Sequence, residues 1–394
     1  MDFRDSPTEA AWRNQVRAFI DDKAPAAYRD GSHIAGPVYG QGDDLFQGWR
    51  DAVVEQGWMA PAWPAEYGGM DLSVMDQFIM TEEFSLARSP HPGGRGVSMV
   101  GPTIVHHGSD EQKSELLSGT LDGSIIWAQG FSEPGAGSDL ASLQLRAVRD
   151  GDDYVLNGQK IWTSDATTCN WLFVLARTDP DAPKHRGISY LVTPLDVPGL
   201  TVAPITDMTG GGELCETFFE DVRIPARNLL GEENRGWYVA MTTLDFERSG
   251  IAGAVGLQLQ LRDLITLANQ PTSNFTLSRN PGLKYELADL WVSAHTAQLM
   301  SYNVASMQTR GLVPNREASQ VKLFASELQM RNANTTVKVL GLYGLITGSD
   351  EARAIRNGRL ARGYMSVLPS VIAGGTSEIQ RNIIATRGLG LPRA

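Results

Sequence analysis

The feature that most constrains this chain is a change of texture along it. From about residue 126 to 235 it runs in short β-branched and aromatic stretches separated by Gly and Pro. On either side, apolar residues recur at the spacing of helices. Ser6-Pro7-Thr8-Glu9 reads as a capped helix start, and Trp12, Val16, Phe19 and Ile20 then share one face. Ala24-Pro25 ends that helix, and the Gly-rich stretch 30–43 reads as a loop. Further helices are expected from Asp44, over Ser73 to Ala87, and from Ser109-Asp110-Glu111-Gln112. In the middle region, Asn157-Gly158 between Tyr154-Val155-Leu156 and Gln159-Lys160-Ile161-Trp162 predicts a hairpin turn. Trp171–Arg177, Gly187–Val192 and Glu216–Val222 read as strands of a small β-barrel or sandwich. Helical patterning returns over Trp237–Leu267, Lys284–Thr309 and Glu317–Leu340, and a last short helix follows Ala373-Gly374-Gly375. The expectation is an α+β multidomain chain: an all-α domain over 1–125, a β domain over 126–235 and a helical domain over 236–394.

Composition narrows the function. A chain of 394 residues suits two or three domains. Its net charge of −11 argues against nucleic acid and against an anionic membrane surface. Two cysteines, Cys169 and Cys215, make neither a disulfide framework nor a metal set, and no metal site is expected. His106-His107 has no Cys or carboxylate spaced as a co-ligand. The N-terminus carries no signal-peptide pattern, and no window approaches the roughly 18 apolar residues of a membrane span. A cytoplasmic protein is the expectation. No Gly-x-Gly-x-x-Gly follows a strand, so a nicotinamide site is not supported.

Three segments carry chemistry. Phe131-Ser132-Glu133-Pro134-Gly135-Ala136-Gly137-Ser138-Asp139 is a Gly-rich turn with hydroxyls, suited to close backbone approach by a flat or phosphorylated ligand. Gly158-Gln159-Lys160-Ile161-Trp162-Thr163-Ser164 follows, and Gly374-Gly375-Thr376-Ser377-Glu378-Ile379-Gln380-Arg381 lies near the C-terminus. Taken with Pro64-x-Glu66-Tyr67-Gly68-Gly69, Phe219-x-Asp221-Val222-x-Ile224-Pro225 and Gly231-x-x-x-x-Gly236-Trp237, they resemble the landmarks of the acyl-CoA dehydrogenase family over nearly the whole chain.

The resemblance implies an N-terminal helical domain, a central β domain and a C-terminal four-helix bundle, with FAD as cofactor. It places Phe131 and Ser132 at the pyrimidine side of FAD, Trp162 over the isoalloxazine and Ser164 near N5. Ser138 would lie near the ligand's phosphate or pantetheine arm. Thr376 keeps the family's place near the FAD phosphates, with Gly341 and Glu378 also on the cofactor side. The family's Arg-x-x-Phe-Gly element is degraded to Ser278-Arg279-Asn280-Pro281-Gly282, leaving Arg279 to reach phosphate, and Lys338 replaces the Gln of its Gln-x-x-Gly-Gly loop.

The implied reaction is α,β-desaturation of an acyl-CoA. A carboxylate takes the α-proton, a hydride leaves the β-carbon for flavin N5, and the Gly374 N–H stabilises the thioester oxygen. Many members place the base directly before the Gly-Thr pair, where this chain has Gly374. A minority takes it from an earlier helix, which here reads Leu244-Asp245-Phe246-Glu247-Arg248. Glu247 therefore matches the base, with Arg248 beside it. An electron-transfer flavoprotein is the implied oxidant. The ending Gly390-Leu391-Pro392-Arg393 resembles a bacterial subgroup that handles steroid or other bulky acyl groups, as a homotetramer or an α2β2 heterotetramer. Two other readings are a non-catalytic or half-site partner subunit, and a flavin oxidase or monooxygenase on the same fold.

Overall fold

Side-chain caps decide where helices begin. The structure, a computed structural model, describes residues 4–33, 43–245, 251–270, 280–348 and 351–392. The expected Ser6/Glu9 pair forms: the Ser6 N–H donates to the Glu9 carboxylate at 2.7 Å, and the Glu9 N–H to the Ser6 hydroxyl at 3.3 Å. Helix α1 (Pro7–Lys23) follows, and α2 (Ala26–Arg29) comes after Pro25. The Asp43 carboxylate caps α3 (Asp44–Glu55), and α4 spans Val74–Leu86. A π-helical turn, Gly96–Val100, leads into α5 (Gly101–His107). Ser109 and Gln112 box the start of α6 (Asp110–Asp122). Beyond the sheet come α7 (Gly236–Asp245), α8 (Ile251–Ala268), α9 (Pro281–Thr309), α10 (Asn315–Leu340), α11 (Arg359–Ser366) and α12 (Ser377–Ile383). Asn280 caps α9 with Pro281 in its first turn, so the helix opens three residues earlier than the pattern from Lys284 suggested.

The described residues fall into two compact units, one within Met1–Ile20, Val74–Ser89 and Arg248–Ala394, the other within Asp21–Ser73 and Pro90–Glu247. In the first, Leu257, Leu261 and Leu264 of α8 pack with Leu287 and Leu290 of α9 and Leu328 and Val339 of α10. Phe78 of α4 joins Ile251, Val255 and Leu259 of α8 in a second cluster. Arg13 ties α1 to α4 through Glu82 and Glu83, each at 2.6 Å, and Tyr302 of α9 donates to Glu82 at 2.7 Å. Such a buried ionic knot fixes register more than it adds stability.

The second unit holds a seven-stranded sheet: β1 (Trp127–Gly130), β2 (Arg146–Asp150), β3 (Asp153–Ser164), β4 (Trp171–Arg177), β5 (Ile188–Pro194), β6 (Leu200–Ile205) and β7 (Leu214–Pro225). Neighbours run β1-β4-β2-β3-β7-β6, with β5 on β4. The β1–β4 pair is parallel, and β2–β3, β3–β7, β4–β5 and β6–β7 are antiparallel. The sheet core includes Leu145, Tyr154, Leu156, Leu172, Val174, Leu191, Phe219 and Val222.

The expected hairpin at Asn157-Gly158 is not there. The β2–β3 turn lies at Gly151-Asp152, since Asp150 pairs with Asp153, and Gly151 takes a φ of +61°. Asn157-Gly158 is instead a bulge inside β3, where the register against β7 shifts between Leu156 and Gly158. Asn157 and Asp221 exchange two hydrogen bonds of 3.0 Å across it. A Cβ at Gly158 would stand 3.1 Å from Leu145. Glycine serves close approach here, not reversal of the chain.

Candidate functional site

A second bulge in β3 turns one aromatic side chain outward. Register against β7 shifts again between Lys160 and Thr163, and Trp162 takes a φ of +63°. Lys160 and Thr163 point inward and are fully buried, while the indole of Trp162 stands 55% exposed. A tryptophan turned outward between buried neighbours is a surface built for contact rather than core. Ser164, two residues on, is half-buried.

The Gly-rich turn is bolted to this strand. The Ile161 N–H donates to the Ser132 carbonyl at 3.0 Å. Lys160 Nζ donates to the Phe131 carbonyl at 3.0 Å and to Glu133 Oε1 at 2.8 Å. Glu133 also accepts from the Gln144 and Leu145 N–H groups at 2.5 and 2.8 Å. The Phe131 ring is buried edge-on against Phe173 and Tyr190, which leaves the residue's backbone and not its ring at the turn. Burial pulls the Lys160 ammonium down to about 8 despite the Glu133 carboxylate, which opposes the shift. Ser138 and Asp139 are exposed at the end of the turn, and Lys184 bridges to Asp139 at 2.5 Å. Asp165, next to Ser164, also has positive φ and pairs with Arg95 at 2.9 Å.

The C-terminal segment forms a donor-rich loop within the other unit. Gly374 and Gly375 adopt φ of +64° and +89°. Their carbonyls are tied inward: Gln380 Nε2 donates to Gly374 O at 2.9 Å, and Lys322 Nζ to Gly375 O at 2.7 Å. Among the described residues, no group accepts the N–H of Gly374, Gly375 or Thr376. The Thr376 hydroxyl caps α12 by accepting from Ile379 N at 3.2 Å. The Ser377 hydroxyl is buried with no partner among the described residues. A run of N–H groups without an acceptor suits an oxyanion or phosphate. Glu378 sits in the first turn of α12. Lys338, at the end of α10, is paired with Glu286 of α9 at 3.1 Å, and Gly341 closes that helix with φ of +57°. Glu247, Arg248 and Arg279 lie outside the described residues.

The structure thus joins Phe131, Ser132, Trp162 and Ser164 in one unit, and Gly374, Thr376 and Glu378 in the other. Sequence reasoning assigned no role to Lys160, Glu133 or Arg177. The first two were visible as charged residues inside otherwise apolar or Gly-rich motifs, while Arg177 carried no local signal.

Three family models match the chain: the acyl-CoA dehydrogenase N-terminal domain over residues 6–124, its middle domain over 128–222 and its C-terminal domain over 234–389. The acyl-CoA dehydrogenase FadE26 of Mycobacterium tuberculosis is 34% identical over 99% of this chain and 98% of its own length. The chain belongs to the acyl-CoA dehydrogenase family. Among solved structures, the Tcur3481-Tcur3483 steroid acyl-CoA dehydrogenase is 31% identical, with a TM-score of 0.85 over 100% of both chains. The ChsE4-ChsE5 complex of M. tuberculosis is 33% identical, with a TM-score of 0.80 over 100% of both chains. This family member is a flavoprotein oxidoreductase, and its cofactor is FAD. Residues of each unit fit that group: in the second, an exposed indole for a flat ring and half-buried hydroxyls at Ser132 and Ser164; in the first, a glycine loop whose Gly374, Gly375 and Thr376 N–H groups and buried Ser377 hydroxyl have no partner among the described residues. No described helix is long and apolar enough to cross a membrane.

Proposed function

We propose that the chain desaturates an acyl-CoA between Cα and Cβ, with Glu247 as the base. FAD, when bound, supplies the hydride acceptor. Glu247 removes the α-proton, and the Gly374 N–H donates to the thioester oxygen as negative charge develops there. Phe131 and Ser132 would offer backbone and hydroxyl groups to the pyrimidine side of the flavin, Trp162 would cover the ring, and Ser164 would bind near N5. Ser138 serves the CoA arm. Thr376, Gly341 and Glu378 lie on the cofactor side, as do Arg279 and Lys338 for phosphate, and Arg248 flanks the base. The observation that carries this reading is the Gly374-Gly375 pair. Its left-handed backbone carries N–H groups with no acceptor among the described residues, and glycine stands where many members of the family hold their base.

The substrate class we favour is a bulky, steroid-type acyl-CoA, because the chain shares its fold over its full length with the Tcur3481-Tcur3483 steroid acyl-CoA dehydrogenase. An electron-transfer flavoprotein reoxidises the cofactor, and the enzyme works in the cytoplasm. Glu247→Gln should keep FAD and slow flavin bleaching by a reactive CoA ester at least about a hundredfold. A panel of straight, branched and sterol-derived CoA esters supplies that substrate. Bleaching at the wild-type rate in the variant would remove Glu247 from the role.

A second reading is favoured by the Tcur3481-Tcur3483 and ChsE4-ChsE5 structures, each of which pairs two proteins: the chain acts with a partner as an α2β2 heterotetramer instead of a homotetramer. Expression alone separates them. A yellow tetramer with full FAD content rejects the need for a partner.

A further inference from the structure

Beneath the Gly-rich turn lies a charge cluster that the proposed chemistry does not use. Lys160 is fully buried, its Nζ held by the Phe131 carbonyl at 3.0 Å and Glu133 at 2.8 Å. Arg177, also buried, donates to the carbonyls of Ala141 at 2.6 Å, Arg186 at 2.9 Å, Lys184 at 3.3 Å and Leu143 at 3.4 Å. Its guanidinium thus bonds only carbonyl oxygens, and Glu133 and the partly buried Asp179 are the carboxylates it feels. Two buried cations are set against one buried carboxylate, Glu133, and one only partly buried, Asp179. A cation held in low dielectric is costly, and its charge acts over several ångströms. Backbone carbonyls solvate it but do not neutralise it.

We infer that Lys160, backed by Arg177 and opposed by Glu133, is a positioning residue whose charge favours the reduced flavin. The inference rests on the reading above that Phe131 and Ser132 meet the pyrimidine side of FAD. Lys160 bonds the Phe131 carbonyl directly, so its charge sits one peptide behind that contact surface. A hydride delivered to a neutral ring system, with its two electrons and one proton, leaves the ring with one extra negative charge. A fixed cation behind the ring stabilises that product over the oxidised form. Glu133, joined to the same ammonium, works the other way.

The test is the two-electron midpoint potential of the FAD-loaded protein. Lys160→Met should lower it by about 30 mV, a tenfold change in the reduction equilibrium. Glu133→Gln should raise it, and Lys160→Arg should hold it near the wild-type value. A merely structural cluster would change FAD retention or melting temperature without opposite shifts in potential. The proposal fails if Lys160→Met retains FAD with an unaltered potential, or if the Met and Gln substitutions move it in the same direction. It also fails if none of the three variants holds FAD, since the cluster is then only a support for the turn. Should Lys160→Met alone lose FAD, the sign of the Glu133→Gln shift decides. Wild-type protein that binds no FAD would overturn both this inference and the functional reading on which it stands.

Discussion

At the residue scale, burial changes what ionisable groups do. His91 is partly exposed as a residue, but its Nε2 is closed off from solvent, and burial depresses its pKa from 6.5 to about 4. The folded chain therefore binds fewer protons than the unfolded one between those values, and stability rises with pH across that window. The contribution is complete above pH 6.5 and is lost as pH falls toward about 4. Acidification across this window should cost on the order of 2 kcal/mol through this residue. Thermal melts of wild type and His91→Gln check it: the variant should lose less stability over the same span, and parallel losses would refute the assignment. The same reasoning explains why the contact role of Trp162 was legible and the complete burial of Lys160 was not. A Trp beside Lys and Ser in a motif announces contact. A lysine of zero exposure is decided by what packs over it, which no local pattern reports.

At the scale of elements, the π-helical turn before α5 is fitted around one indole. Inside it, the buried Trp63 Nε1 donates to the Val97 carbonyl at 2.9 Å. A Cβ on Gly101 would lie 1.9 Å from that ring. Gly101→Ala should therefore destabilise the protein by roughly 2–3 kcal/mol in chemical denaturation. Gly256 in α8 has open space around its missing side chain, so Gly256→Ala should stabilise by up to about 1 kcal/mol. Equal effects at the two positions would show that the contact with Trp63 is not what requires Gly101. Helix starts were readable because caps are local: Ser6, Ser109 and Thr376 each bond within three residues. The Asn157-Gly158 error has the opposite cause. Whether such a pair reverses the chain or bulges depends on the strand across from it, here β7 and Asp221.

For the molecule as a whole, α9 leaves Tyr285, Val292 and Leu299 exposed at seven-residue intervals, which puts them on one face. Tyr285 is 79% exposed. A stripe of this kind suits burial between subunits, in keeping with the tetramer proposed above. Val292→Glu combined with Leu299→Glu should lower the mass found by light scattering and weaken FAD retention. An unchanged mass would exclude this face as an interface. The order helix, strand, helix and the cofactor motifs were written in local patterns, because periodicity, caps and glycine turns act over a few residues. The places of the β2–β3 turn and of the buried Lys160–Glu133–Arg177 cluster were decided only by tertiary structure. Each depends on groups distant in sequence, and the energy of a buried charge or a strand register is set by whatever lies across from it in space.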